Sequence, residues 1–229
     1  MNAFTKYLRS SIGRKQLMGI CGIWLYVYLL IHLLGNIGVL AGAERYNRYG
    51  HILLHDLAEI IIPIELSLFA AFVLHIVLAI KLGMENRAAR GVNYAVKGTG
   101  GRKTLYSTTM TATGLVILAF TVIHIAHFRL GMVTGRTLVV YDGVEMRDLY
   151  GTMMHGFSIW WYTLAYVAVM ALIFSHLAHG VQSSLQTLGF NHPKYAPAVH
   201  WLSRGYAVLI SGGFSLLAIW AFFQHGGMR

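Results

Sequence analysis

Residues Phe120–Arg129 read FTVIHIAHFR and close a long apolar stretch of the chain. The imidazole of His124 lies there among aliphatic residues, and the segment contains no carboxylate that could pair with it. A polar ring in hydrocarbon costs free energy unless it has a partner or a function. Three further apolar stretches carry a histidine in similar surroundings: LLIHLLGN at His32, FVLHIVLA at His75 and LIFSHLAHG at His176. Four such histidines in four successive stretches indicate a common role.

The composition predicts a membrane protein. Of 229 residues, 56% are hydrophobic and only 11% are charged, with a mean hydropathy of +0.58. Soluble domains are about 45–50% apolar and about 25% charged. Five stretches reach the roughly 20 residues that a transmembrane helix needs. We expect an all-α fold in which residues 1–229 form one bundle of five transmembrane helices, at about 17–40, 60–82, 110–128, 158–177 and 205–223.

The basic residues are distributed unevenly between the two ends of these spans. With the N-terminus inside, twelve Lys and Arg residues fall in cytoplasmic segments and six in outer segments. The positive-inside rule then predicts a cytoplasmic N-terminus and an external C-terminus. The net charge of +10 is therefore explained by topology, anionic lipid and an acidic cytoplasmic partner, and no nucleic-acid partner is expected. The start, MNAFTKYLRSSIGRKQL, lacks a small-residue cleavage site and is interpreted as a retained amphipathic arm.

The depth of each histidine in the bilayer sorts the four into two pairs. His32 lies about 26 Å along its helix from Lys15, near the outer side. His124 is five residues before Arg129 and also lies near the outer side. His75 precedes the inner end of its span by roughly 9 Å, and His176 precedes a polar tail at a similar inner depth. The predicted pairs are His32 with His124 and His75 with His176.

Two bis-histidine pairs stacked across a bilayer are typical of two b-type haems. Iron held by two imidazoles has no open position, which favours electron transfer over oxygen chemistry. The ordinary alternative is that the histidines bond to neighbouring hydroxyl or carbonyl groups. His127 and His179 each follow a candidate ligand by three residues on nearly the same helix face, and the deeper His124 and His176 are preferred. No span has two histidines 13 or 14 residues apart, which disfavours the dihaem core of cytochrome bc complexes.

These motifs resemble the dihaem cytochrome b subunit of succinate dehydrogenases and fumarate reductases, of the type with five spans and two haems on one anchor polypeptide. The resemblance covers nearly the whole chain: IHLLGN, FVLH, FTVIHIAHFR and IFSHLAHG occur in that order. It implies that His75 and His176 bind the proximal haem, and that His32 and His124 bind the distal haem. One departure is Phe174, where some menaquinol-oxidising members carry a glutamate that serves in proton return. Phe174 disfavours a fumarate reductase that depends on that route.

The resemblance implies a quinone-reactive, electron-transferring subunit in a bacterial cytoplasmic membrane. Its partners would be an iron–sulfur subunit and a flavoprotein subunit, and the complex itself could form a higher oligomer. The chain has no flavin-binding or cysteine-rich motif, so dicarboxylate chemistry would occur on those partners. Two alternatives stay open: a transmembrane dihaem cytochrome of the b561 kind or of another quinone-linked dehydrogenase, and a haem-free transporter or structural membrane protein.

Acidic residues at the outer start of the second span are candidates for the quinone site. Reduction or oxidation of menaquinone or ubiquinone moves protons, so a titratable group is expected beside the ring. Glu59 is preferred because it lies one turn before Pro63. The resemblance also implies an acidic residue at the outer start of this helix, at a spacing from the haem ligand that varies among family members. Asp56 and Glu65 are alternates, and an ion pair of Glu59 with Arg45 or Arg48 is the ordinary explanation.

Three smaller features complete the prediction. The single Cys21 permits neither a disulfide nor a thiolate cluster and is expected to pack between helices. The glycines of the first span would admit either another helix or a flat macrocycle. The segment RTLVVYDGVEMRD alternates apolar and polar residues around Asp142-Gly143 and predicts a short hairpin or turn.

Overall fold

The computed structural model describes residues 2–88, 105–132 and 135–224, with the backbone alone for residues 105–108. The helices are α1 Ala3–Arg9, α2 Ser11–Ile37, α3 Ala43–His51, α4 Ala58–Ala88, α5 Leu105–His124, α6 Leu149–Ser158, α7 Trp160–Thr187 and α8 Ala196–Gln224. A 3₁₀ turn spans Gly38–Ala41, and π-helical turns span Ile52–Asp56 and Ile125–Arg129. The strands are β1 Leu138–Tyr141 and β2 Val144–Arg147.

The fold is all-α and has the character of a multi-pass membrane protein, as predicted. Among the described residues, five helical segments are long and apolar enough to cross a bilayer: Ser11–Ala41, Ala58–Ala88, Thr109–Arg129, Trp160–Thr187 and Ala196–Gln224. Most of these segments are longer than predicted, because hydropathy marks only the part suited to hydrocarbon and the helices continue into polar sequence. Pro197 does not end a helix but lies in the first turn of α8, where its missing N–H costs nothing.

Helix α7 forms the centre of the bundle. It packs on α2, α5 and α8, and a cluster of buried side chains that includes Leu33, Met154 and Ile210 fills these contacts. Helix α4 packs on α2, but within the described part of the chain it does not pack closely on α5 or α7. Nor does α2 pack closely on α5. The order α4–α2–α7–α5 therefore makes an arc of helices around an interior region.

The glycines of α2 allow close contact with α7. A Cβ on Gly19 would lie 3.7 Å from the Cα of Ser184, and one on Gly22 would lie 3.2 Å from the Ser184 hydroxyl. On the facing helix, a Cβ on Gly180 would lie 2.6 Å from the hydroxyl of Tyr26. Cys21 is buried in the same region. These glycines therefore serve helix packing, which resolves one of the two alternatives left open by the sequence.

The predicted hairpin is confirmed. Strands β1 and β2 are antiparallel with Tyr141 opposite Val144, and the turn residues Asp142 and Gly143 have φ of 51° and 78°. Positive φ at both turn residues matches the twist of a two-residue hairpin. The hairpin lies at the same end of the bundle as α3 and α6, and Arg48 of α3 pairs with Asp142. At the opposite end, Arg14 of α2 pairs with Glu85 of α4 at 2.8 Å.

Asn47 joins three segments at the hairpin end. Its side chain is 1% exposed, donates to the Asp148 carboxylate at 2.9 Å and accepts from the Tyr150 N–H at 2.9 Å. Asn47→Ala is expected to destabilise the protein by about 1–3 kcal/mol, because it leaves buried polar groups unpaired. Thermal unfolding in detergent would measure the loss. Asn191→Ala, at an exposed position, is the control and should unfold like the wild type.

Candidate functional site

The two histidines predicted at the outer side, here called the outer pair, lie together; the pair predicted at the inner side is called the inner pair. His32 of α2 and His124, the last residue of α5, have ring centroids 5.9 Å apart with an interplanar angle of 86°. Two imidazoles that bind one metal ion through nitrogen, at about 2 Å each, place their centroids about 6 Å apart. The rings meet between two helices that do not pack closely on each other. The spacing between these rings is therefore compatible with an ion held by both.

Aromatic side chains surround this pair. Tyr28 stacks on His32 with centroids 5.3 Å apart and an interplanar angle of 15°, and Phe214 of α8 lies 5.5 Å from the same ring. Phe120 and Phe128 lie 5.5 Å and 5.1 Å from His124. A mostly apolar, aromatic lining with a few polar groups is the usual environment of a cofactor.

The hydrogen bonds of the two outer histidines are made through Nδ1. His124 Nδ1 lies 3.3 Å from the Tyr166 hydroxyl, which accepts from Tyr162 at 3.0 Å. His32 Nδ1 lies 3.4 Å from the amide of Asn36, whose stronger bond goes to the His32 carbonyl at 2.8 Å. When one ring nitrogen is fixed by a partner, the other is available as a metal ligand. The Tyr166 hydroxyl can accept from Nδ1–H of His124, which leaves Nε2 of that ring available. The side-chain NH2 of Asn36 is a donor, so its contact with His32 Nδ1 does not leave Nε2 of His32 unprotonated.

Tyr46 supports this arrangement from outside the spans. Its hydroxyl donates to the side-chain oxygen Oδ1 of Asn36 at 3.0 Å. Burial, and secondly the neighbouring Tyr49, raise the pKa of Tyr46 to about 12. Tyr46 therefore stays protonated and keeps Asn36 oriented toward His32 at physiological pH.

The inner pair, His75 of α4 and His176 of α7, is near enough for a charge on one ring to act on the other, but in the described residues the two rings make no direct contact. His176 Nδ1 lies 3.1 Å from the Thr113 hydroxyl, and that hydroxyl donates to the Thr109 carbonyl at 3.0 Å. Thr113 therefore accepts from His176 Nδ1–H, which leaves Nε2 for a ligand. His75 faces the Met18 backbone, but its buried Nδ1 has no partner of acceptable geometry.

The structure separates His127 from the outer pair. His127 is 1% exposed, stacks on Phe128 with centroids 4.3 Å apart and bonds through Nδ1 to the Tyr162 hydroxyl. It therefore lies at the far end of a hydrogen-bonded chain from His124 and does not face His32. His179 is partly buried near His176 and, in the described residues, makes no side-chain hydrogen bond.

The three acidic candidates differ in their surroundings. Glu65 forms a two-pronged ion pair with Arg129, with both N–O distances 3.0 Å, and lies near Tyr28. Asp56 is 2.9 Å from Nδ1 of His55. Glu59 is exposed and has no side-chain hydrogen bond or ion pair within the described ranges. Of the two arginines considered for it, Arg48 pairs instead with Glu44 and Asp142.

Sequence reasoning missed the residues that hold the histidines. Thr113, Tyr166 and Asn36 carry no motif of their own, and each was found only because the fold brings it to an imidazole. Tyr162 and Tyr166 are four residues apart on α7, ten to fourteen residues before His176. That spacing puts both on one helix face, which is the one signal the sequence offered.

The donor set fits two haems on three observations. Four imidazoles occur as two predicted pairs, His124 and His176 each have a hydroxyl at Nδ1 that can accept a hydrogen bond and leave Nε2 available, and the outer pair has a suitable spacing. The ordinary alternative requires each histidine to form a hydrogen bond with a neighbouring group. It does not explain His75, because the buried Nδ1 of this ring has no hydrogen-bond partner among the described residues. Comparison of the chain with protein-family models, curated proteins and solved structures finds no match.

Proposed function

We propose that this chain is the dihaem cytochrome b anchor of a succinate:quinone oxidoreductase, with a cytoplasmic iron–sulfur subunit and a flavoprotein as partners. The observation that carries the proposal is the meeting of His32 and His124 between two helices that do not pack closely on each other. His75 and His176 would form the second pair, toward the end of the bundle that carries the N-terminal arm. The resemblance of the four histidine motifs to this family supplies the choice of partner and substrate. Transfer would run between the iron–sulfur subunit and menaquinone or ubiquinone.

The chain's own residues would hold and orient the cofactors. His32 and His124 would bind the distal haem, and His75 and His176 the proximal haem. When bound, two such haems supply one-electron carriers at two depths of the membrane. Tyr166 and Thr113 would keep Nδ1 of their histidines protonated, so that Nε2 is presented for coordination. The aromatic rings around the outer pair would exclude water.

The proposal is tested by purifying the chain, with any subunits bound to it, from the membranes of cells that express it. We expect a reduced-minus-oxidised spectrum of low-spin haem b, two haems per chain, and co-purification of a flavoprotein and an iron–sulfur protein. Two haems without those partners would favour a b561-type cytochrome. A colourless protein would favour a transporter or structural protein and would refute the assignment.

The expected docking surface lies at the end of the bundle that carries the N-terminal arm. Arg14 and Glu85 connect α2 to the end of α4 there. The N-terminal arm with Lys6 and Lys15 therefore lies at the same end as Lys81, where the Lys- and Arg-rich segment 81–103 begins. Residues 89–103 of that segment lie outside the described residues. Cross-linking through Lys6, Lys15 and Lys81 should connect this end to the iron–sulfur protein. Cross-links confined to the hairpin end would contradict the predicted topology.

Tyr166→Phe is expected to raise the midpoint potential of the outer haem and leave both haems bound. The hydroxyl of Tyr166 accepts a hydrogen bond from His124 Nδ1–H when Nε2 binds iron, which makes the imidazole a stronger donor and favours ferric iron. Redox titration followed by haem spectra measures the change. Thr113→Val is the matched variant and should shift the inner haem instead. Equal potentials in Tyr166→Phe and wild type would refute this role.

A further inference from the structure

A cluster of three metal-ligating side chains lies at the hairpin end, apart from both histidine pairs. It consists of His51, His55 and Asp56, where α3 passes through a π-helical turn toward α4. One ligand atom from each side chain lies within 4.8 Å of the others. His55 and Asp56 are exposed and His51 is partly buried, so an ion would reach the cluster from solvent.

The π-helical turn brings these three side chains together. In a regular α-helix, residues five apart differ by about 140° around the axis, so Asp56 would point away from His51. The turn over Ile52–Asp56 instead closes with the bond from the Leu57 N–H to the Ile52 carbonyl, 2.9 Å long. A residue five positions on then returns to nearly the same face. Such π-helical turns are rare and frequently occur at functional sites.

The distances within the cluster suit a small divalent ion. His51 and His55 have nearly parallel rings, with centroids 4.8 Å apart and an interplanar angle of 14°. His55 Nδ1 and the Asp56 carboxylate are 2.9 Å apart. Two ligand atoms that each bind Zn²⁺ at about 2.0–2.2 Å in tetrahedral geometry lie about 3.3–3.6 Å apart, so this edge needs to lengthen by only about 0.5 Å. The ligand atom of His51 lies within 4.8 Å of the other two, and binding of one ion by all three would need a rotation of the His51 side chain.

We propose that His51, His55 and Asp56 form a binding site for a late divalent transition-metal ion, of which Zn²⁺ is the best match. Two imidazoles and one carboxylate are the donors that zinc and its neighbours prefer over magnesium or calcium. Three protein ligands leave a fourth position for water. The bound ion would fix the end of α3 to the start of α4, three residues before Glu59.

The test is zinc binding by the full-length protein, purified with a tag that contains no histidine. Protein freed of zinc by a chelator is dialysed against buffered Zn²⁺, and bound zinc is counted by mass spectrometry separately from haem iron. The wild type should bind one zinc ion that the His51→Ala/His55→Ala variant does not bind. His192→Ala, which removes an exposed histidine outside the cluster, should retain it.

A conservative variant covers the case in which the double variant does not fold. Asp56→Asn is expected to weaken zinc binding about 10–100-fold, as loss of a metal-site carboxylate usually does. Zinc should also raise the unfolding temperature of the wild type but not that of Asp56→Asn. Wild-type zinc affinity in both variants would overturn the proposal. Because zinc and haem are counted separately, this result does not depend on whether the chain is a cytochrome.

Discussion

His124→Ala is expected to yield a chain that binds one haem b instead of two. An alanine cannot coordinate iron, and His32 alone, across a gap between α2 and α5, would hold the outer haem by a single bond. The measurement is haem per polypeptide by pyridine haemochrome, with the remaining haem identified by its midpoint potential. The loss should be nearly complete, since His124 supplies one of only two protein ligands to that iron.

The other three ligand variants should sort into the same two classes. His32→Ala should lose the haem that His124→Ala loses, and His75→Ala and His176→Ala should both lose the other. The double variant His32→Ala/His124→Ala should resemble either single variant, because both ligands serve one iron. Retention of both haems in any of the four single variants would remove that histidine from the ligand set.

His127→Ala and His179→Ala are the matched controls for these variants. Each removes a histidine one turn from a preferred ligand, and each should retain two haems. His127 bonds to Tyr162 and not to the space between the outer rings, so its loss should shift the spectrum of the outer haem without removing it. If His127→Ala lost a haem, His127 would replace His124 as the ligand, and if His179→Ala lost one, His179 would replace His176.

The sequence predicted the number of spans and the grouping of the histidines for a simple physical reason. Long apolar runs must be helical in hydrocarbon, and a fixed rise per residue converts position into depth. Two histidines at one depth therefore meet if their helices are near each other. The structure places the ring of His32 beside that of His124, as that reasoning requires.

Features that depend on tertiary contacts gave no signal in the sequence. Glu65 and Arg129 are 64 residues apart, and nothing in the sequence indicates that they meet. In the structure they form an ion pair between α4 and the end of the third span. The hydroxyl partners of the imidazoles come from helices whose rotation about their axes hydropathy does not determine. The π-helical turn at Ile52–Asp56 likewise has no known residue pattern, so the cluster of His51 with Asp56 was not predicted.

The sequence also did not predict where the membrane helices begin and end. Hydropathy falls where the chain leaves hydrocarbon, but backbone hydrogen bonds continue into the polar region. Helix α8 begins at Ala196, nine residues before the predicted span, because the Tyr195 carbonyl accepts from the Val199 N–H at 2.9 Å and Pro197 fits the first turn. Bilayer thickness therefore predicts the existence of a helix better than its length.

Glu59→Gln is expected to reduce quinone turnover about 10²–10⁴-fold, the range typical of a lost general acid or base. Both haems should remain bound, and the complex should still oxidise succinate with a soluble dye, because neither process uses this carboxylate. Pro63 has no N–H to give to the Glu59 carbonyl, so the backbone at this turn is open to a ligand. Glu59 also has no ion-pair partner in the described part of the chain, unlike the other two acids.

Glu65→Gln is the decisive comparison for the quinone site. Glu65 lies near Tyr28, which stacks on His32, but its carboxylate is already bound by Arg129. A carboxylate held by an arginine is a poor proton acceptor, so Glu65→Gln should retain much more quinone turnover than Glu59→Gln.

Glu145→Gln, on the exposed side of the hairpin, is the control for both variants and should match the wild type. If Glu65→Gln alone lost turnover, the site would lie beside Tyr28 and Arg129. If both variants turned over quinone normally, it would lie at the inner pair, because His75 and His176 mark the remaining depth at which a quinone would reach a haem.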